Sequence, residues 1–559
     1  MRLVKTRYIT LMQESTYIEP SDFHFKWESP EEREFTWVWD DVHTAIPNTP
    51  LTIAVNALRS FRPAPASSPG SASARPMRRV INGFSYSVRT HQRAVPMDVE
   101  ERRKKLDTLR DARRLWDEEL LPTLIREIEA MKATELTGVT HNQLLKHLDS
   151  FLEYYQNHWR IHGQAVGPVF TCTSFLVPIY EIITGSTDEA EPYRLLQGFD
   201  NKSLEVDREL RQLANRARDT ANVASAFDAA NLGIDILLPL KETDDGRIFL
   251  THLQAFLDTY GHRSNVLDFS EPTWLEQPDF VLLTIKGLLH RNLDPEKETF
   301  KLMSQERDQL VRQAVDRVLD NVPLKDEFLD ILSICQNVWP IREDHAFYIE
   351  QASGSQIRRV LVECGLHLAQ ENVIDSDQDV FYLTLEELKE ALSDPQHADL
   401  KGVAQSRRDE RARFMRITPP QFLGKAPSDE ILSDNSESSK FVRAVSVPLT
   451  EERPSLLRGA AGSPGQVVGI ARIVESPEDF WRVQPGDILV CRSTSPPWTP
   501  IFPVIGGLVT DAGGVLSHGA IVAREYRLPA VMGTKVATRI IQDGQMLSLD
   551  GNAGIVHLL

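Results

Sequence analysis

Residues 513 to 518, GGVLSH, place two glycines, a serine and a histidine directly before a segment that predicts an amphipathic helix. Glycines let a backbone approach a ligand closely, and the free N–H groups at a helix start favour negative charge. The same helix end disfavours a protonated imidazole and would stabilise a phosphoryl group on the ring. The pattern favours a nucleophilic histidine that carries an anion. The alternative is a capping serine beside a histidine without a catalytic role.

The elements that must position this histidine form a compact α/β pattern over residues 458–559. Strand-length apolar runs bounded by Gly, Pro or Asp predict short strands, and residues 517–526 predict one helix among them. The predicted strands are GQVVGIARIV (465–474), GDILVCRS (486–493), IGGLVTDA (505–512), LPAVMG (528–533) and QMLSLDG (545–551).

The preceding part of the chain has a different pattern. Apolar residues recur at spacings of three and four over residues 99–133, 141–161 and 297–320, which predicts that residues 1–425 are mainly helical. A short extended piece should precede a helix capped by Thr384, with Glu387 at the capping-box position. The stretch 62–76, RPAPASSPGSASARP, predicts a flexible loop, and residues 426–457 predict a linker. The fold class expected is therefore multidomain: a mainly α-helical region followed by a compact α/β domain.

Composition excludes some partners. A net charge of −18 argues against nucleic acid and anionic membranes, because phosphate groups need clustered cations. The N-terminus has no signal-peptide pattern, and no window was expected to suit a membrane span. Four cysteines without CxxC spacing predict buried free thiols in a cytoplasmic protein.

The stretch TDAGGVLSHGAIVAREYRLPAVMG (510–533) resembles the phosphohistidine signature of the swivelling domain in phosphoenolpyruvate-utilising enzymes and ATP-dependent dikinases. The resemblance covers residues 459 to 559. It implies that His518 is phosphorylated, that Thr510 and Ser517 orient the ring or bind the phosphate, and that Gly513 and Gly514 form the phosphate loop. Only 41 residues follow His518 (559 − 518), too few for a pyruvate-forming barrel of about 250 residues.

Segments of the helical region resemble the substrate-binding domain of rifampin phosphotransferases, as in YGHRSNVLDFSEPTWLEQPDFVL (260–282) and REDHAFYIEQ (342–351). No P-loop or other nucleotide-binding segment is evident. The layout also resembles the phosphohistidine subunit of phenylphosphate synthase and of the dikinases that act on hydroxyphenyl ketones. That resemblance implies a separate ATP-grasp subunit, which binds ATP and Mg²⁺ and leaves AMP and inorganic phosphate.

An acceptor site for a phosphoryl group needs cations and a base. Three clusters of the helical region offer both kinds of group. The candidate catalytic arginines are Arg358 and Arg359, and the candidate substrate-binding residues are Tyr260, His262, Arg263, Arg342 and His345. His158 and His162 have an i,i+4 spacing, but without an acidic third ligand no metal is predicted there.

The sequence and the resemblance together predict a multidomain phosphotransferase subunit. In it, His518 of a swivelling α/β (β/β/α) phosphohistidine domain passes a phosphoryl group to a small hydroxylated, aromatic acceptor, which the mainly α-helical substrate-binding domain holds. A phenol or a hydroxyphenyl ketone is favoured. Two alternatives remain: a subunit that phosphorylates a rifamycin-like antibiotic, and a non-catalytic phosphocarrier or regulatory protein. Neither nucleic acid nor a membrane is expected as a partner.

Overall fold

The structure is a computed structural model, in which the chain divides into two compact units. One contains Met1–Pro96 and Gly365–Pro448, and the other contains Met97–Cys364 and Leu449–Leu559. The predicted loop 62–76 and most of the predicted linker 426–457 lie outside the described residues. The residues that the structure describes are 17–18, 23–40, 44, 46–59, 78–88, 99–186, 188, 191–230, 233–289, 296–417, 419–427, 455–475, 477–515 and 517–559.

The first unit contains a sheet that the sequence analysis did not predict. Within the described residues its strands are β1 (Tyr17–Ile18), β2 (Thr36–Trp39), β3 (Arg78–Ile81), β4 (Phe84–Val88) and β5 (Phe422–Lys425), in the order β1-β5-β2-β4-β3. All of their pairings are antiparallel. Aromatic residues of β2 and β4 form its core, where Trp37, Phe84 and Tyr86 are fully buried.

The α-helices of this unit are Pro50–Ala57, Leu385–Ser393 and Lys401–Phe414, and its 3₁₀ helices are Pro30–Glu34, Asp377–Tyr382 and Pro395–His397. The capping box of Thr384 and Glu387 is confirmed, because the Thr384 hydroxyl accepts from the Glu387 N–H while the Glu387 carboxylate accepts from the Thr384 N–H. The piece before this helix was predicted to be extended. That prediction was wrong, because Ser376 and Asp379 form another capping box and start a 3₁₀ helix there.

The second unit begins as a helical bundle, as predicted. Its α-helices are Val99–Leu115, Leu121–Ala133, His141–Thr184, Glu191–Arg194, Lys202–Arg218, Ala221–Ala229, Gly233–Lys241, Asp244–Tyr260, Asp279–Leu289, Glu296–Arg317, Val322–Val338 and Ile341–His345, and the helix Gly354–Gln370 begins here. Two π-helical turns, Trp116–Leu120 and Ala346–Ser353, interrupt the α-helical geometry.

The helix His141–Thr184 starts at a capping box of Thr140 and Gln143 and ends at Gly185, whose φ of 66° is the left-handed conformation that glycine adopts readily. By length and composition alone this helix could cross a membrane, and 56% of its most apolar window is buried inside the protein. The expectation that no window would pass such a test was therefore wrong. Apolar core helices produce the same signal.

The C-terminal part of the second unit has the predicted α/β architecture. Its strands are β6 (Leu456–Arg458), β7 (Ala460–Ser463), β8 (Gln466–Ile473), β9 (Ile488–Cys491), β10 (Gly507–Thr510), β11 (Ala530–Met532), β12 (Met546–Asp550) and β13 (Ile555–Leu558), in the order β6-β13-β12-β8-β9-β10-β11-β7. The helical segments between them are Pro477–Arg482, Pro496–Ile501, His518–Glu525 and Ala537–Ile540. Strands β8 to β11 are parallel.

One hydrophobic core joins the helical bundle to this α/β region. It extends from Val206 through Trp274 and Phe280 of the bundle to Phe480 and Phe502 of the α/β region. The rings of Phe280 and Phe480 lie 5.4 Å apart between centroids. All four cysteines are free and buried, which confirms the prediction made for them.

Candidate functional site

His518 is the first residue of the helix His518–Glu525, which follows the carboxyl end of β10. In parallel sheets this edge is where ligands bind. Two internal hydrogen bonds stabilise the loop between strand and helix. The Thr510 hydroxyl donates to the Ala512 carbonyl at 2.6 Å, and the Ser517 hydroxyl donates to the Gly514 carbonyl at 2.7 Å. Thr510 and Ser517 therefore shape the loop in this structure. Neither hydroxyl has a contact with the imidazole of His518 among those found in the described residues.

The two glycines of the loop differ. Gly513 has a φ of 95°, and a Cβ placed on it would lie 2.9 Å from both Cβ and Oγ of Ser517. Gly514 has neither a positive φ nor any atom within 4 Å of such a Cβ. Of these two positions, only that of Gly513 therefore has a backbone conformation that favours glycine. Gly519, after the histidine, is also required, because its Cβ would come within 2.6 Å of the Thr494 hydroxyl.

The imidazole of His518 is 9% exposed and faces polar groups on both sides. Its Nδ1 lies 3.4 Å from the Oε2 carboxylate oxygen of Glu343 in the helical bundle. Its Nε2 lies 3.4 Å from the hydroxyl of Thr499. The ring of Phe502 stands edge-on at 6.3 Å and covers the apolar side. This arrangement separates the two ring nitrogens, because one faces a carboxylate and the other a hydroxyl.

Glu343 is a buried but ionised carboxylate. Burial alone would raise its pKa, but the neighbouring His518 imidazole, the Arg342 cation and the Ser203 hydroxyl hold the pKa at about 2. The Ser203 hydroxyl donates to Oε2 of Glu343 at 2.9 Å. The sequence analysis named the neighbouring residue Arg342 but missed Glu343 itself. The contact with His518 depends on tertiary structure, which no local pattern reveals.

Thr499, Thr494 and Ser203 were missed as well. Among the described residues, the buried Thr494 hydroxyl has no hydrogen-bond partner, and it lies beside the backbone of Gly519 at the start of the helix. An unpaired hydroxyl at this place suits an oxygen of a phosphoryl group. The signal in the sequence was the run STSPPWT (493–499), which has four hydroxyl side chains shortly after β9.

Arg263 is a predicted substrate-binding residue whose charge interacts with Glu343. It is 1% exposed and lies over the Trp274 ring at 5.4 Å. Burial lowers the pKa of Arg263 to about 10, although the negative charge of Glu343 acts to raise it. Within the described part of the chain, its Nε and Nη1 have no hydrogen-bond partner. A buried guanidinium with unpaired donors is suited to an anionic ligand.

The other predicted arginines have different surroundings. Arg342 contributes its charge to Glu343 and packs over the rings of Phe170 and Trp339. Arg358 donates to both carboxylate oxygens of Glu276, at 3.1 and 2.9 Å, and to the Phe269 carbonyl at 2.7 Å.

Arg359 donates to the carbonyls of Met131, Lys132 and Thr134, where the helix Leu121–Ala133 ends. Free carbonyls at a helix end require such donors. The structure therefore gives Arg358 and Arg359 structural partners, and their predicted catalytic role stays a prediction.

The remaining predicted residues are held by other groups. The Tyr260 hydroxyl donates to Glu205 at 2.9 Å. His262 packs edge-on against Phe347 at 4.6 Å, and burial lowers its pKa to about 3. His345 contacts the Ile341 carbonyl through Nδ1 at 3.0 Å. No contact with His518 or Glu343 is found for these three in the described residues.

Comparisons with known proteins match two segments of the chain, and each segment contains residues of this site. Residues 483–554 match the family model described as "PEP-utilising enzyme, mobile domain", which includes His518. Residues 165–343, which include Ser203 and Glu343, match the model described as "Rifampicin phosphotransferase fourth domain".

Individual relatives agree with these matches. The chondramide synthase cmdD of Chondromyces crocatus is 31% identical over 97% of this chain and 14% of its own length. The uncharacterized phosphotransferase YvkC of Bacillus subtilis is 31% identical over 78% of this chain and 51% of its own length. A rifampicin phosphotransferase of Streptomyces sviceus is 30% identical over 58% of this chain and 36% of its own length. The chain thus spans about half or less of each of these relatives.

The resemblance noted in the sequence is confirmed, and His518 and Glu343 each fall within one of the two matched domains. Residues 483–554 are thus similar to the mobile domain of phosphoenolpyruvate-utilising enzymes, and residues 165–343 to the fourth domain of the rifampicin phosphotransferases.

Proposed function

We propose that this chain is the phosphohistidine- and acceptor-binding part of an ATP-dependent phosphotransferase. The observation that carries the proposal is the contact of His518 with Glu343. It supports the proposal because the residue expected to carry the phosphoryl group contacts the helical region expected to bind the acceptor. The α/β region and the bundle share one core, so this arrangement corresponds to the stage at which the acceptor is phosphorylated.

Glu343 acts as a positioning residue in this proposal. An ionised carboxylate beside Nδ1 favours the tautomer with the proton on Nδ1, which leaves the Nε2 lone pair free to take the phosphoryl group. In the second step the P–Nε2 bond breaks and a bond forms between phosphorus and the acceptor oxygen. The hydroxyl proton passes to a base in the site, and His518 returns to its neutral form. Thr494, Thr499 and Arg263 are the donors suited to the phosphoryl oxygens.

The phosphoryl group comes from ATP, which we place with Mg²⁺ on a separate ATP-grasp subunit. The balanced reaction is ATP, acceptor and water giving AMP, phosphorylated acceptor and inorganic phosphate. This proposal agrees with the helical composition of the bundle that surrounds His518. Free, buried cysteines fit a reducing, cytoplasmic setting.

Two classes of acceptor deserve a test. A phenol or hydroxyphenyl ketone is the acceptor favoured by the resemblance to aryl dikinases. A rifamycin-like antibiotic is favoured by the fourth-domain match, because residues 165–343 include Ser203 and Glu343 themselves. A third possibility is a phosphocarrier, in which phosphorylated His518 is recognised by another protein and no small acceptor exists.

The test combines the chain with a candidate ATP-grasp partner, Mg²⁺ and ATP labelled at the β-phosphate. We expect acid-labile, base-stable label on the wild-type chain and none on His518→Ala. His557→Ala is the matched control, because His557 is an exposed histidine of the same α/β region. Labelled chain is then incubated with phenol, a hydroxyphenyl ketone or rifampicin.

Loss of label to one of these compounds identifies the acceptor class. Label that none of them removes supports the phosphocarrier instead. Equal labelling of wild type and His518→Ala would overturn the proposal.

A further inference from the structure

A second cluster of potential ligands lies in the helical bundle and includes His345, one of the predicted substrate-binding residues. It consists of His162, His345 and Glu350, whose nearest donor atoms all lie within 4.8 Å of one another. The Nε2 atoms of His345 and His162 lie 3.6 and 3.9 Å from the same carboxylate oxygen, Oε1 of Glu350. The two imidazole rings meet edge to face, 4.9 Å between centroids. Three donors therefore converge on one point.

The π-helical turn explains how two of these donors meet. His345 ends the helix Ile341–His345, and Glu350 lies in the π-helix Ala346–Ser353. Residues five apart in an α-helix point about 140° away from each other, so His345 and Glu350 would not share a face there. The wider π-helical turn brings them to the same side. Such turns cost regular hydrogen bonding and occur frequently at functional sites.

The ring of His345 is oriented as a metal ligand. Its Nδ1 lies 3.0 Å from the Ile341 carbonyl oxygen. Because a carbonyl only accepts hydrogen bonds, the proton is on Nδ1, and the lone pair of Nε2 faces Glu350. Histidine ligands of metals commonly donate their other N–H to a carbonyl or carboxylate in this way. The ring of His162 is held by Trp159, at 4.7 Å between centroids.

The exposure and charge of the cluster also suit a cation. The side chains of His345 and Glu350 are only 9% and 10% exposed, whereas that of His162 is 22% exposed and leaves a path from solvent. With both rings neutral, the cluster has one negative charge. Two imidazoles and one carboxylate form a common ligand set of zinc sites that keep a fourth position open.

We propose that His162, His345 and Glu350 bind a divalent transition-metal ion, with Zn²⁺ as the preferred ion and a fourth position open to water or another oxygen ligand. Donor atoms around tetrahedral Zn²⁺ are about 3.3 to 3.5 Å apart. The two distances to Glu350, 3.6 and 3.9 Å, are close to these values. The two imidazole nitrogens, which lie within 4.8 Å of each other, would have to approach by up to about 1.4 Å.

The cluster differs from the histidine pair considered in the sequence. His158 has other partners, since its Nδ1 lies 2.7 Å from the Ser353 hydroxyl and its Nε2 lies 3.1 Å from Glu127. Glu350 supplies the acidic ligand that the pair lacked, and His345 takes the place of His158. Neither was close to His162 in sequence.

The test measures metal binding to the purified full-length chain after treatment with a chelator. We expect one Zn²⁺ per chain with a Kd below about 1 µM in competition with a chromophoric chelator. Co²⁺ should bind at the same place with the visible absorption of a four-coordinate complex. Glu350→Gln and His162→Gln should weaken Zn²⁺ binding by at least about 100-fold. His147→Gln on the same helix is the matched control and should bind like the wild type.

Failure to bind stoichiometric Zn²⁺, or binding unchanged in Glu350→Gln and His162→Gln, would overturn the proposal. If a variant does not fold, the Co²⁺ spectrum of the wild-type chain decides, because an octahedral, water-like spectrum excludes the three-ligand site. These measurements use neither ATP nor an acceptor. Their failure would leave the proposed phosphotransfer untouched, and the reverse also holds.

Discussion

The carboxylate of Glu343 lies 3.4 Å from Nδ1 of His518 and accepts a hydrogen bond from the Ser203 hydroxyl at 2.9 Å. Glu343 belongs to the helical bundle, whereas His518 begins a helix of the α/β region. The pair therefore joins the two parts of the second unit at the residue that the family resemblance identifies as the phosphoryl carrier. A carboxylate fixed at this nitrogen favours the tautomer with the proton on Nδ1, and in the proposed function Nε2 is then the nitrogen that reacts.

Replacing Glu343 by Gln should slow phosphoryl transfer from His518 to the acceptor by about 100-fold, because the ring loses the charge that orients it. Phosphorylation of His518 from ATP should change by only a few-fold, since that step takes place on another subunit in the proposed function. Single-turnover measurements of the two steps separate these effects.

Glu343→Asp should restore part of the transfer rate and the wild-type pH profile, which a purely structural role would not predict. Glu153→Gln, an exposed glutamate of the helix His141–Thr184, is the control. Equal losses in both half-reactions would contradict the orienting role of Glu343.

The sequence predicted much of the α/β region because its signals are local. The five predicted strands and the helix after Ser517 correspond to β8 to β12 and to His518–Glu525. Apolar runs bounded by turn residues are sufficient for such elements. For the surroundings of His518, the sequence predicted only residues that are close to it in the chain. Glu343 and Thr499 reach the ring, and Ser203 reaches Glu343, through tertiary packing, which has no counterpart in residue spacing.

The sheet of the first unit was missed for a related reason. Its strand β2 (Thr36–Trp39) pairs on one side with β5 (Phe422–Lys425), from the far end of the helical region. Each strand is only four residues long, and β2 has the buried pattern TWVW without alternation. Short strands without period-two alternation cannot be distinguished from helix by pattern alone. The pairing partner, rather than the local sequence, determines these strands.

Replacing Gly513 by Ala should lower both stability and phosphorylation of His518. Its φ of 95° strains any residue with a Cβ, and that Cβ would lie 2.9 Å from Ser517, directly before the histidine. We expect a loss of about 1 to 2 kcal/mol in the free energy of unfolding. Gly514→Ala is the matched control, because nothing lies within 4 Å of its Cβ. Similar urea midpoints for both variants would show that the loop adapts.

Arg359→Lys should destabilise the protein without changing the transfer rate of the folded enzyme. The guanidinium donates to three carbonyls at the end of the helix Leu121–Ala133, and a lysine cannot reach all of them. A loss of about 1 to 2 kcal/mol is expected, measured by urea unfolding. A slower transfer to the acceptor at unchanged stability would instead support the catalytic role that the sequence analysis predicted for Arg359.

Glu525 should make stability depend on pH near neutrality. Burial, together with the negative charge of Glu343, raises its pKa to about 8, although Arg524 and Asn201 act in the opposite direction. The fold therefore favours the neutral carboxyl. This contribution is fully present below the ordinary pKa of 4.5 and is lost as the pH rises through about 8.

Glu525→Gln retains an oxygen that can accept from Asn201, whose amide lies 3.3 Å from Oε1, but it cannot ionise. From about pH 5 to pH 9 the wild type should therefore lose stability relative to Glu525→Gln, by a few kcal/mol at most. Urea unfolding across this range measures the difference, with Glu153→Gln as the control. Parallel stability curves for wild type and Glu525→Gln would mean that Glu525 ionises in the folded protein as it does in the unfolded chain.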